Sequence, residues 1–389
     1  MKYLKGKTSH IVYLPCITRI RLLFANLVAM QNRFTAIGVM SGTSLDGLDL
    51  AYCTFRFDTA WSYHLDAVQC IPYSETWKHN LEHAHLLSGK DLTALHAAFG
   101  TYIGSSVKAF LDEVDLPAPH IIASHGHTVF HAPHHCYTLQ IGSGPHIAAV
   151  SGITTVNDFR ALDVALGGQG APLVPLGDAL LFGHYAACLN LGGFSNISFN
   201  AANVRLAFDI CPVNIAMNPL AELLGAPFDK DGNFAATGIV LPWLLQKLNA
   251  LPIYHTLKRP SLSREWLEAE VLPLLPTESK TENVLRTLSE HAAQQIAIVL
   301  DCHVKEGEVL VTGGGAYNRY LVDRIQQLTK VKVVVPDSQT VEFKEALVFA
   351  FLGVLRMRGE VNVLRSVTGA SRDSCSGTVH LFDPSQHGQ

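Results

Sequence analysis

Ile37-Gly38-Val39-Met40-Ser41-Gly42-Thr43-Ser44-Leu45-Asp46-Gly47-Leu48-Asp49-Leu50 reads as a strand, a glycine-rich turn and a second strand. Ile37 and Val39 alternate with small residues, and Leu48, Leu50 and Tyr52 alternate on the far side. Period-two apolar residues around a small polar tip are the pattern of a β-hairpin. Gly42 and Gly47 permit positive φ and let a ligand come close to the backbone. Successive backbone N–H groups in such a tip form an anion-binding nest, and the hydroxyls of Thr43 and Ser44 add donors. Asp46 and Asp49 would repel a bare phosphate. They fit a phosphate that travels with a divalent cation, or proton transfer by one of them.

The same arrangement returns further along. Cys188-Leu189-Asn190-Leu191-Gly192-Gly193-Phe194-Ser195-Asn196-Ile197-Ser198 is an apolar strand, a Gly-Gly turn and another strand. Two such hairpins point to two similar half-domains, each giving a phosphate-binding turn to a shared cleft. The repeat is one of pattern and not of identity. Val309-Leu310-Val311-Thr312-Gly313-Gly314-Gly315 is a buried strand ending in three glycines, with Asn318 and a helix from Arg319 to Leu328 beyond. Flat approach of a nucleotide to bare backbone is the functional reason for such a run.

Between and after the hairpins lie the candidate polar groups. Ile121-Ile122-Ala123 leads into Ser124-His125-Gly126-His127-Thr128. Leu166-Gly167-Gly168-Gln169-Gly170-Ala171-Pro172 makes a rigid loop near the charges of Arg160 and Asp163. Asp209 follows an apolar strand, just before a helix expected over Asn214–Leu224. It is either a helix N-terminal acid or a general base at the end of a sheet strand. Glu345 stands among apolar residues of a helix expected over Glu342–Arg356, as a cap or as a group for substrate polar atoms. Further helices are expected over Ser74–Leu87, Asp91–Leu111 and from a capping box at Ser279-Lys280-Thr281-Glu282 to about Cys302.

Other features exclude functions. His125, His127, His131, His134 and His135 invite a metal site, but no carboxylate or Cys accompanies them at metalloprotease or deaminase spacing. The first two are read as facing a cleft and the rest as loop surface. Asp229-Lys230-Asp231-Gly232-Asn233 imitates a calcium loop but has Val240 where the closing acid belongs. The chain has 389 residues, 48% hydrophobic and 16% charged, with net charge −4. That length favours two domains, the charge gives no footprint for nucleic acid, and no apolar run is long enough for a membrane span. Eight cysteines without a CxxC pair read as buried thiols of a cytoplasmic protein. Residues 1–33 are basic and lack acids, and are read as a disordered extension or as a start placed too early, with Met30 the first residue.

The hairpins followed by strand–Gly-Gly-Gly–helix resemble the acetate and sugar kinase, heat-shock and actin superfamily. In detail six motifs in order are similar to those of the 1,6-anhydro-N-acetylmuramic acid kinase family. They are Ile37 to Gly47, Ser124-His125-Gly126, Asp158-Phe159-Arg160, Gly167 to Pro175, Leu191-Gly192-Gly193 and Val367-Thr368-Gly369-Ala370. The resemblance implies an α/β chain of two ribonuclease-H-like domains with ATP in the cleft between them. Domain I is expected over 34–157 and about 365–385, and domain II over 158–364. It implies hydrolytic opening of 1,6-anhydro-N-acetylmuramic acid and phosphorylation of O6, in cell-wall recycling. The family's catalytic Asp falls on Asp209. Gly42 to Asp49, Gly192, Gly193, Gly313 to Gly315 and Asn318 would serve ATP, and Asp46 would hold Mg²⁺ through water. His125, Arg160, Gln169 and Glu345 would serve the sugar, and a homodimer is the family's tendency. Departures stand at Cys211 and Val213, where the family's turn carries glycines, at Ala161 after Arg160, and at His127. They leave room for a related amino or anhydro-sugar as substrate. A nucleotide switch without enzymatic activity would share the hairpins.

Overall fold

The computed structural model describes residues 32–42, 44–256 and 261–382. The expectations for residues 1–31 and the donor expected at Thr43 lie outside them.

Two mixed sheets follow one rule. In the first, β1 (Arg33–Ser41), β2 (Gly47–Phe57) and β3 (Trp61–Pro72) form an antiparallel meander. β4 (Ile121–Ser124) runs parallel beside β1. β5 (His127–Ala132) and β6 (Tyr137–Ile141) form a separate hairpin, and β7 (Thr155–Asn157) lies parallel to β4. In the second sheet, β8 (Ala187–Leu191), β9 (Phe194–Ala201) and β10 (Val204–Pro212) repeat the meander. β11 (Glu308–Thr312) and β12 (Lys332–Val334) then add parallel to β8. Counted from its own first strand, each sheet runs third, second, first, fourth, fifth, the ribonuclease-H-like order. β13 (Thr378–His380) closes the first sheet against β7.

Helices fill three layers around the two sheets. α1 (Gly89–Val114) buries Phe99, Ile103, Val107 and Phe110 against Ile37, Val39 and Leu50 on the outer face of the first sheet. α2 (Val174–Leu181) and α6 (Ser338–Arg358) lie between the sheets. α3 (Asn214–Leu223), α4 (Thr281–His303) and α5 (Arg319–Leu328) cover the second. α6 falls in the segment expected for domain II, yet it packs on β1, β2 and β4 as well as on β11. Leu347, Phe349 and Phe351 share one core with Phe55, Ala123, Cys188 and Leu310. A helix between two sheets must be apolar all round, as α6 is over its run from Ala346 to Leu355. At Gly38 a Cβ would lie 1.8 Å from the Ala346 carbonyl oxygen, so α6 rests directly on β1.

Two local expectations, the capping box and the burial of the cysteines, are corrected. Lys280, and not Ser279, stands at the cap of α4, and no side chain caps it, so the capping box does not form. Cys53, Cys188 and Cys211 are buried, but Cys70, Cys136 and Cys302 are exposed. Asp229 caps a short helix through the N–H groups of Phe234 and Ala235, at 2.8 and 2.9 Å. Among the described residues no helix is long and apolar enough to cross a membrane.

Candidate active site

The register of β1 and β2 ends with Ser41 opposite Leu48, which leaves Gly42 to Asp46 as the tip, and Leu45 turns it with φ 59°. Ser44 and Asp46 are exposed and Asp49 is half-buried, whereas Gly47 and Leu48 are buried, so the Leu48 side chain belongs to the core. The tip is rooted by a buried chain of polar groups. Tyr73 OH donates to Ser41 Oγ at 2.6 Å, and Ser41 Oγ lies 3.0 Å from His127 Nδ1. Burial pushes Asp49 up to about 6; a hydrogen bond with Cys70 works the other way, and the charges of Glu345, Asp46 and Glu342 raise it further. Four carboxylates from the hairpin and from α6 therefore act on one region.

The second tip is tied to α3. Val213 N donates to Gly193 O at 2.8 Å, and Asn214 Nδ2 donates to Leu191 O at 3.4 Å. Gly313 has φ 84°, and a Cβ there would strike Asn190 Oδ1 at 2.4 Å, so the turn and the close approach both require glycine. Gly193 and Gly314 are exposed, whereas Gly315 is buried under Leu191. Asn318 Oδ1 accepts the Leu321 N–H at 3.0 Å and caps α5, so that oxygen is already committed. Tyr317 OH donates to Glu342 Oε1 at 2.7 Å and links the glycine run to α6.

The third group gathers at the end of β4. His125 and His127, expected to face a cleft, are buried, while His131, His134 and His135 are exposed. Arg160 is half-buried; its Nε donates to His125 Nε2 at 3.0 Å and its Nη1 to Gly170 O at 2.6 Å. Burial lowers Arg160 to about 10, and the Glu345 charge acts to raise it. Glu345 opens to solvent, but the dense protein around it raises its pKa, against the pull of Arg160 and Lys344. Gln169 is exposed, and its N–H donates to Thr368 O at 2.8 Å. Asp163 is fully buried and offers no charge to a ligand. Its Oδ2 accepts Gly170 N–H at 2.8 Å and its Oδ1 accepts Thr368 Oγ1–H at 2.7 Å, which staples the glycine loop to the Val367-Thr368-Gly369 turn.

Asp209 is half-buried near the end of β10. The β9–β10 register shifts between Asp209 and Cys211, a bulge that re-aims the side chain. Ser195 Oγ holds the bulge, accepting Cys211 N–H at 3.2 Å and donating to Cys211 O at 3.1 Å. Asp209 Oδ2 accepts Leu262 N–H at 2.9 Å. Burial raises the Asp209 pKa, and that hydrogen bond acts to lower it. Leu262, Ser195 and the stapling by Asp163 escaped the sequence reading. Leu262 comes from a segment without motif, whereas Ser195 was visible beside the Gly-Gly turn. Cys211 and Val213 are both 0% exposed, so the departures repack the core behind the strand.

The family model of anhydro-N-acetylmuramic acid kinase matches residues 34–381. An anhydro-N-acetylmuramic acid kinase of Actinobacillus pleuropneumoniae serotype 7 is 35% identical over 368 residues, spanning 88% of this chain and 98% of its own length. One of Vibrio cholerae is 36% identical over 376 residues, spanning 91% and 100%. Among solved structures, component A of the (R)-2-hydroxyglutaryl-CoA dehydratase of Acidaminococcus fermentans overlaps at TM-score 0.41 and 10% identity, over 83% of this chain and 99% of that one. With the family model covering nearly the whole described chain, and relatives this similar along their full length, the chain belongs to the anhydro-N-acetylmuramic acid kinase family.

Proposed function

We propose that the protein opens 1,6-anhydro-N-acetylmuramic acid with water and phosphorylates the released O6 from ATP, yielding N-acetylmuramic acid 6-phosphate and ADP in cell-wall recycling. The observation that carries this reading is Asp209. It is a half-buried carboxylate on a bulge at a strand end, with Oδ2 fixed by Leu262 and, among the described residues, no hydrogen-bond partner on Oδ1, the oxygen we assign to a water. In the step, water oxygen bonds to C1 and the C1–O6 bond breaks. O6 bonds to the γ-phosphorus as the bond to ADP breaks, and the water proton passes to Asp209. One base serves both events because each relieves the charge the other builds.

The glycine turns fit a nucleotide. A Cβ at Gly193 would meet nothing nearer than Ile215 Cβ at 3.6 Å, and one at Gly314 nothing nearer than Asn214 Nδ2 at 3.7 Å. Phosphates can therefore approach bare backbone there, while Gly42 and Ser44 offer the facing turn. Burial first, and then the charges of Glu345, Asp46 and Glu342, raise Asp49; that gathering of carboxylates fits a divalent cation arriving with ATP, and exposed Asp46 would hold it through water. When bound, Mg²⁺ supplies neutralisation of phosphate charge. Arg160, Gln169 and Glu345 are the groups for the sugar. The burial of Cys211 and Val213 supports the anhydro-muramic substrate over a related sugar, because both replaced side chains belong to the core.

The test is product formation. Purified protein with ATP, Mg²⁺ and the anhydro-sugar is expected to release ADP and a sugar 6-phosphate in equal amounts, by ³¹P NMR. Asp209→Asn should lose about a hundred- to ten-thousandfold in rate with ATP affinity intact. ADP release that does not depend on the sugar would defeat the proposal.

A further inference from the structure

His125 has no role in the chemistry above and is buried. We propose that His125 is a positioning residue: its ring accepts the Arg160 Nε–H and so fixes the plane of the guanidinium that serves the sugar. The inference rests on the kinase reading.

Hydrogen-bond accounting carries it. His125 Nδ1 lies 2.8 Å from Gly126 O. A carbonyl only accepts, so Nδ1 carries the proton. Arg160 Nε lies 3.0 Å from Nε2, and a guanidinium only donates, so Nε2 offers its lone pair. The ring is therefore neutral and locked in one tautomer. Burial, and then the adjacent Arg160 charge, hold its pKa well below the ordinary range, which agrees with that state. Arg160 Nη1 is fixed separately to Gly170 O at 2.6 Å. Two anchored nitrogens determine the orientation of a planar group and leave the Nη2 edge for a ligand. Phe349 completes the mount. Its ring centroid lies 4.7 Å from that of His125 and 6.0 Å from Arg160 Cζ. Phe349 sits one helical turn after Glu345 on α6, so the carboxylate and the mount of the guanidinium share one element. Arg160 and Glu345 feel each other's charge without forming a direct ion pair.

The test is a double-mutant cycle on the full chain. Leu fills the ring's place without a lone pair, and Gln returns an acceptor oxygen. His125→Leu should lower kcat/KM for the anhydro-sugar about ten- to hundredfold while leaving KM for ATP unchanged. His125→Gln should recover most of that loss, and in an Arg160→Ala background His125→Leu should add less than about twofold. Equal losses in both backgrounds, or no loss in the first, would overturn the proposal. A second readout needs neither catalysis nor a substitution at His125. Ring ¹⁵N shifts of the wild-type protein should report Nδ1–H, and Arg160→Ala should raise the pKa of His125. A ring protonated at Nε2 overturns the proposal whatever the kinetics. The expected tautomer in a wild-type protein that does not phosphorylate the sugar would refute the kinase reading and leave the Arg160 mount standing.

Discussion

Asp163 touches no reacting atom, yet it decides where the glycine loop sits, because both of its oxygens accept hydrogen bonds from separate segments. Asp163→Asn would turn an amide donor toward one of those donors. It is expected to cost about 2–3 kcal/mol in urea unfolding and to raise KM for the sugar more than KM for ATP. Unchanged stability would mean that the loop holds itself. Asp209 predicts a pH dependence. A general base works only when deprotonated, and burial raises its pKa, so the rate should fall as pH drops through a value above the usual carboxylate range. A kcat profile flat down to the ordinary value of 3.8 would remove Asp209 from that role. At this scale the sequence singled out Asp209, Arg160, Gln169 and Glu345 as candidates, from their places beside an apolar strand, a glycine loop or an apolar helical run. It could not separate a residue facing the cleft from one behind it. His125 and Asp163 were therefore read as available, although their partners lie on other segments.

Elements were legible where their own pattern sufficed. Arg319–Leu328 has the bounds expected from the sequence, and α4 runs one residue past its expected end. β3 went unread. Its side chains alternate between half-buried and exposed, so Trp61–Pro72 shows no clean apolar face, as befits the edge of a sheet. The failed capping box at α4 has a similar lesson: the motif offers a cap, and tertiary packing of the preceding segment sets the actual start. α4 also carries a prediction. His291 is 2% exposed, lies 2.7 Å from Asn249 Oδ1 and 3.0 Å from Tyr254 OH, and burial lowers its pKa from 6.5 to about 3. Between those values the unfolded chain binds the proton and the folded one does not. Stability is therefore lost as pH falls from about 6.5 to about 3 and levels off below that. In His291→Gln, melting temperature should depend less steeply on pH across this window, and an unchanged slope would assign acid sensitivity elsewhere.

For the molecule as a whole, the layer between the sheets is decisive, and it contains a buried charge cluster. Lys344 Nζ of α6 lies 2.8 Å from Asp178 Oδ1 of α2, and Arg205 Nη2 of β10 lies 3.8 Å from Asp178 Oδ2 and donates to Ser198 Oγ at 2.7 Å. Burial works against the Lys344 charge, but Asp178 beside it holds its pKa above the ordinary value. One anion thus serves two cations. Asp178→Ala strands both and should cost about 3–5 kcal/mol, whereas Lys344→Met leaves a balanced Asp178–Arg205 pair and should cost clearly less. The reverse order in denaturant unfolding would contradict this account of how α6 is fixed to the second sheet. The duplicated strand order was foreshadowed by the two glycine hairpins, but the place of α6 was not, since an all-round apolar helix does not reveal which sheet it meets. The central claim is that one site couples ring opening by water to phosphoryl transfer. The most direct measurement is the mass of the sugar product formed from ATP, Mg²⁺ and 1,6-anhydro-N-acetylmuramic acid in ¹⁸O-water, quenched early to precede exchange at the free anomeric carbon. The account predicts a 6-phosphate carrying one heavy oxygen at C1, absent in Asp209→Asn; a phosphorylated product without the label would contradict it.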